Sequence, residues 1–124
     1  PQPLGPTLGY AVPRLISAAG IGPIFHAAMQ QADQLYQEMI RQHPAAGAYV
    51  IPNAYNRRVL LNLNLRSAAH FISLRSALNA HFSIRRVARR MAEQISAVSP
   101  LFAAVLNAEP SKTWQQIEND HFTT

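Results

Sequence analysis

The sequence predicts an α+β fold that is predominantly helical, with two long helices packed on each other and a short strand or hairpin beside them. Three observations lead there. Between Gly22 and His43 apolar residues recur at intervals of three and four, the period of a helix with one buried face. The same period returns between Ala80 and Val98. Between these stretches, Val59, Leu61 and Leu63 alternate with Arg58, Leu60, Asn62 and Asn64. That is the period of a half-buried strand, although a helix also fits a run this short. A chain of 124 residues suits one domain with a hydrophobic core.

The elements follow in order. Residues 1–22 form a lead-in: residues 1–9 are rich in Pro and Gly and read as extended, and Ala11 to Ala19 suits a short helix with Gly20 as its stop. The expected domain spans 23–108. Its first helix starts at Gly22-Pro23, buries Phe25, Ala28, Ala32, Leu35, Tyr36 and Met39, and ends at His43-Pro44. Ala45 to Val50 is ambiguous, and a short helix before Ile51-Pro52 is one option. A strand follows over 57–64. Asn64 can cap a helix running through Arg75, with Ala68, Phe71, Ile72 and Leu74 as its buried stripe. Asn79 can cap the second long helix, Ala80 to about Val98, with Ile84, Val87, Ala88, Met91, Ile95 and Val98 facing the core. Ser99-Pro100 opens another short helix to about Asn107. Residues 109–124 are a polar tail in which Trp114, Ile117 and Phe122 are suited to docking on a neighbour.

Composition narrows the chemistry. There is no cysteine, which removes disulfides, thiolate metal sites and a thiol nucleophile. No apolar run approaches the ~18 residues that span a bilayer, no secretory signal segment opens the chain, and a cytoplasmic address is the default. The chain opens Pro1-Gln2-Pro3 without an initiator Met, so a fragment of a longer protein is expected. There is no glycine-rich phosphate loop and no nucleophile elbow. The five histidines show no paired ligand spacing, so no metal is assigned. The six acids lie mostly towards the ends and form no paired-carboxylate centre.

Charge is the most informative bulk property. The net charge is +5, and all the basic residues except Lys112 are Arg. From Glu38 to Glu93 there is no acid, while that window holds Arg41, Arg57, Arg58, Arg66, Arg75 and four more Arg between 85 and 90. Guanidinium groups fork onto phosphate and carboxylate oxygens, and an unneutralised cluster repels itself unless an anion or acidic surface is close. A solvated basic face is the plain alternative.

The densest chemistry lies in Asn64-Leu65-Arg66-Ser67-Ala68-Ala69-His70-Phe71-Ile72-Ser73-Leu74-Arg75, followed by Ala80-His81-Phe82-Ser83-Ile84-Arg85. On a helix Arg66 and His70 share a face, with Asn64 at the entrance and Arg75 at the exit. One amide, one imidazole and two guanidiniums can hold a polyanionic heteroaromatic ligand. Each also has an ordinary role: cap, rim histidine or surface charge.

This order of residues resembles the C-terminal half of the flavin-dependent thymidylate synthase family. Its members show Asn-x-Arg-Ser-Leu-x-(Asn or His)-Phe-Leu-x-Leu-Arg, then His-Ala-Gln-x-Glu-Ile-Arg opening a long helix. The first block matches at Asn64, Arg66, Ser67, His70, Phe71, Leu74 and Arg75, and the second at Ala80, Ile84 and Arg85. Pro52 stands where the family has a Pro before its strand, and the resemblance covers about residues 23–106. It implies FAD as cofactor, NADPH as reductant, and dUMP and methylene-tetrahydrofolate as substrates, with the cofactors supplying the difficult chemistry. It implies that Asn64, Arg66 and His70 contact FAD and that Arg75 contacts dUMP, in a site shared between subunits of a homo-oligomer.

The chain also departs from the family. The motif Arg-His-Arg-x-x-Ser-x-Asn-x-x-Ser-x-Arg-Tyr is absent; it normally precedes the part present here. The family's His at the start of the second block is Asn79, its Gln and Glu are His81 and Ser83, and an Arg that binds substrate phosphate falls at Ala48. Losing one charge-assisted phosphate contact costs about 1.5–3 kcal/mol. Three functions therefore stay open. One is a flavin- or nucleotide-binding domain of a larger protein. Another is a degenerate, non-catalytic copy acting in assembly. The third, poorly supported for want of interleaved aromatics, is nucleic-acid binding through Arg85, Arg86, Arg89 and Arg90.

Overall fold

The computed structural model describes residues 4–106, 108 and 112–123. Its regular elements are all helical among the described residues, and the chain divides into two compact units: residues 1–60 with 122–124, and residues 61–121.

In the first unit, a 3-10 turn at Pro6–Leu8 leads to α1 (Arg14–Ala18) and α2 (Gly22–Gln42). The reversal between the helices passes through Gly20, whose φ of 70° lies in the left-handed region that only glycine enters at little cost. Pro23 sits in the first turn of α2, where its missing N–H has no helical acceptor to lose. The core gathers on Met29, Ile51 and Tyr55, with Tyr10, Phe25, Ala32 and Tyr36 packed around them. The buried edge of α2 is thus Phe25, Met29, Ala32 and Tyr36, spaced four, three and four. Ala28 and Leu35, expected inside, are exposed on its flank. A 3-10 turn at Gly47–Val50 covers the end of α2, and Gly47 lies so close to Ile40 and Tyr36 that a Cβ there would clash. The end of the chain returns to this unit. Thr123 N–H donates to the Val12 carbonyl at 3.1 Å, and Phe122 makes an isolated bridge with Pro13.

In the second unit, α3 (Leu65–Ser76), α4 (Phe82–Val98) and α5 (Pro100–Ala103) are followed by α6 (Trp114–His121). The helices α3, α5 and α6 all pack on α4. α3 buries Ala68, Ile72 and Ser76, leaving Phe71 half-buried and Leu74 exposed, so its stripe is turned from the expected one by the residue at each end. α4 buries Ala88 and Ala92; small side chains let its neighbours approach, while Val87 and Val98 are exposed.

Three expectations change. Residues 56–64 are neither helical nor part of a ladder, and the bridges Tyr10–Tyr55 and Pro13–Phe122 are isolated, so the helical part of the fold stands and the strand does not form among the described residues. Apolar alternation sets which faces a strand would show, but a strand needs a partner to exist as one. The two long helices fall in different units, and each packs within its own: α2 with α1 and the 47–50 turn, α4 with α3, α5 and α6. α4 also starts later than expected. His81, not Asn79, is its N-cap, with Nδ1 accepting from Ser83 N–H at 3.3 Å.

Candidate functional site on helix α3

Asn64 sits just outside α3 in extended geometry, and its Oδ1 accepts the Ser67 N–H at 2.9 Å. This satisfies one of the orphan donors of the first turn and fixes where the helix begins. It commits the amide oxygen and leaves the NH2 end for another acceptor. Arg66 and His70, four residues apart, lie on the exposed edge of α3, and neither has a hydrogen-bond or ion-pair partner among the described residues. Arg75 is also exposed, in the last turn, where a cation is favoured by the helix dipole. Nine residues at ~100° each carry it about 180° round the helix from Arg66. Arg66 and His70 thus share one edge of α3, Asn64 caps the helix at its start, and Arg75 is set on the other side.

The second motif block behaves differently. Arg85 is half-buried, and its Nε is a buried donor without a partner among the described residues. A donor left so costs about 1–3 kcal/mol, which a bound group would recover. Ala48, at the substrate-phosphate position of the resemblance, is half-buried within the 47–50 turn and offers no polar side chain. No three His, Asp or Glu side chains among the described residues are gathered to hold a metal. No described helix is long and apolar enough to cross a membrane.

A groove elsewhere in the second unit was not foreseen. It lies between α4 and α6, has a volume of about 560 Å³, and is lined by Val87, Met91, Ile95 and Trp114, with Arg86, Arg90 and Glu118 at its polar edge. Arg86 pairs with Glu118 at 2.8 Å, and the Arg90 guanidinium stands 4.8 Å from the centre of the Trp114 ring. The start of α6 is fixed by a reciprocal cap between Thr113 and Gln116. Gln116 Oε1 accepts from Thr113 N–H at 2.8 Å, and Thr113 Oγ1 accepts from Gln116 N–H at 3.2 Å. That Thr-x-x-Gln spacing is a capping box visible in the sequence, and together with Trp114 and Ile117 it was the signal for a helix in the tail.

Comparison with known proteins then decides the family. Residues 6–101 match the family model described as thymidylate synthase complementing protein. The chain belongs to the thymidylate synthase complementing protein family. A UPF0159 protein of Chlamydia muridarum is 33% identical over 105 residues, covering 85% of this chain and 20% of that protein. One from Thermoplasma acidophilum is 33% identical over 107 residues, with 85% and 21% coverage. A flavin-dependent thymidylate synthase of Pyrococcus abyssi is 32% identical over 71 residues, 56% of this chain and 29% of that protein. The chain thus spans only about a fifth of the first two relatives. No solved structure matches it. Within the thymidylate synthase complementing protein family, the matched stretch contains the whole of α3 and of α4 and crosses both compact units.

Proposed function

We propose that the chain is the flavin- and nucleotide-binding portion of a thymidylate synthase-like protein larger than itself, with Asn64, Arg66 and His70 as FAD contacts and Arg75 as a dUMP contact. The observation that carries this is the unpaired pair Arg66 and His70 on the exposed edge of α3, the helix that Asn64 caps with the NH2 end of its amide unspent. This donor set suits the pyrophosphate and the polar edges of a flavin dinucleotide. The orphaned Arg85 Nε is a further seat for an acceptor. Bound FAD would supply the redox chemistry; these side chains would bind and orient it. Because Arg75 lies on the opposite side of α3, it serves a different ligand or a different subunit's site from Arg66 and His70. In the larger protein, NADPH would be the reductant and methylene-tetrahydrofolate the one-carbon donor.

The test is a titration of the purified chain with FAD, followed by flavin fluorescence and absorbance with and without dUMP. Saturable binding weakened about tenfold in Arg66→Ala supports the site. A folded chain that binds no FAD at high micromolar concentration, with the upstream segment of its parent protein restored, sinks it.

A second function is favoured by specific observations: a non-catalytic copy that works in assembly. Ala48, Asn79, His81 and Ser83 replace the family's polar groups, and Val59, Leu60, Leu61 and Leu101 are exposed apolar side chains suited to burial against a partner. Failure to bind FAD combined with self-association would select it. For nucleic acid there is less support. Arg86 is committed to Glu118 and Arg89 to the Lys112 carbonyl at 2.6 Å, so two of the four guanidiniums of that run are already engaged within the chain and are less available to track phosphates.

A further inference from the structure

We propose that the groove between α4 and α6 is a second ligand site, independent of the α3 residues, and that it takes a small, flat aromatic carboxylate. Its volume of about 560 Å³ is that of a small-molecule pocket. The floor is aliphatic, made by Val87, Met91 and Ile95, and Trp114 forms a wall. The indole N–H is committed to the Glu93 carboxylate, so the ring offers the groove surface and not a donor. That combination favours an aromatic body.

The charges select the head group. Glu118 reaches the groove, but its carboxylate is held by Arg86 at 2.8 Å, and the two charges cancel. Arg90 has no carboxylate partner among the described residues; its guanidinium lies against the Trp114 ring, 4.8 Å from the ring centre. Among the residues that line the groove one positive charge therefore remains, that of Arg90; the Glu93 carboxylate lies outside the lining, on the indole N–H. A guanidinium whose face is covered by a ring keeps its N–H edge for a forked contact with a carboxylate. A dianionic phosphate finds only one uncompensated cation there and a carboxylate nearby, so a monoanion fits better.

Trp114 is the chain's single tryptophan, so its indole N–H gives one isolated signal in a 15N–1H correlation spectrum. The full chain is titrated with 2-naphthoate and, separately, with the uncharged 2-naphthalenemethanol. Naphthoate is expected to move the indole signal saturably, with a dissociation constant on the order of a millimolar or below, and to bind roughly tenfold tighter than the alcohol. Arg90→Gln, at an exposed position, should bring naphthoate down to the affinity of the alcohol and leave the alcohol unchanged. Excess inorganic phosphate should leave naphthoate binding unaltered. Val87→Asp, which puts a carboxylate on the floor, should abolish both. No saturable shift from a spectrum with native dispersion overturns the proposal. So do equal affinities of the two probes, no effect of Arg90→Gln, or full competition by phosphate, which would mark a plain anion site.

Discussion

Tyr55 carries two structural duties with one side chain. It is buried in the core of the first unit, and its hydroxyl donates to the Met29 carbonyl in α2 at 2.7 Å. Burial, then the Asp33 carboxylate and Tyr10, hold its phenol above the ordinary range near 10. The neutral form is the one the fold favours, so its contribution is complete below the unfolded value and fades as pH climbs through the folded one. Alkaline unfolding monitored above about pH 10 should therefore have a component that Tyr55→Phe removes. At neutral pH the same variant should cost about 1–2 kcal/mol in denaturant melts for the lost hydrogen bond. Gly47 makes the complementary case. It has no side chain because Ile40 and Tyr36 occupy the space, and Gly47→Ala should destabilise by about 1–3 kcal/mol through overpacking. At the candidate site, Asn64→Ala should lose about 1 kcal/mol of helix stability with its cap, whereas Asn64→Asp should keep the cap. A drop in FAD affinity in Asn64→Asp at unchanged melting temperature would isolate the amide's ligand role from its structural one.

Among the elements, α3 shows what a sequence can disclose. Its bounds, its Asn64 cap and the shared edge of Arg66 and His70 all depend on residues within a dozen positions of one another, so local rules reach them. Even the placement of Arg75 on the far side follows from helix geometry. The cap of α4 was misassigned because Asn79 and His81 both offer an acceptor near the start, and the turn between α3 and α4 decides which one is in reach. Segment 56–64 was legible as an apolar alternation but not as a lone stretch, because pairing is a property of two segments. The groove on α4 was out of reach for the same reason. Arg86, Arg90 and Trp114 meet only once α6 has docked, and the contact Arg86–Glu118 spans 32 positions. That docking rests on Ile117, only 1% exposed. Ile117→Ala should cost about 2–4 kcal/mol and loosen α6, measured by chemical denaturation and by faster exchange of the α6 amides. Removing the exposed ion pair Lys112–Asp120 should cost far less and should matter less at high salt.

On the scale of the whole molecule, the chain passes between its two units twice, near residue 60 and again before residue 122. Leu60, at 94% exposure, lies at the first of these passages, where apolar side chains face outward. Self-association is the expected consequence. Sedimentation should show a mean mass that rises with concentration, and Leu60→Asp should lower it. The +5 charge opposes close approach, so the association should strengthen with moderate salt.

The partition of the aromatic residues gives the molecule two colours. All four tyrosines, Tyr10, Tyr36, Tyr49 and Tyr55, belong to the first unit, and the single tryptophan belongs to the second. Excitation at the red edge of the absorption band reports Trp114 alone, while the tyrosine bands of second-derivative absorbance report the other half. One unlabelled sample thus yields two melting curves. Their coincidence, or the gap between their midpoints, measures how far the folding of one half depends on the other.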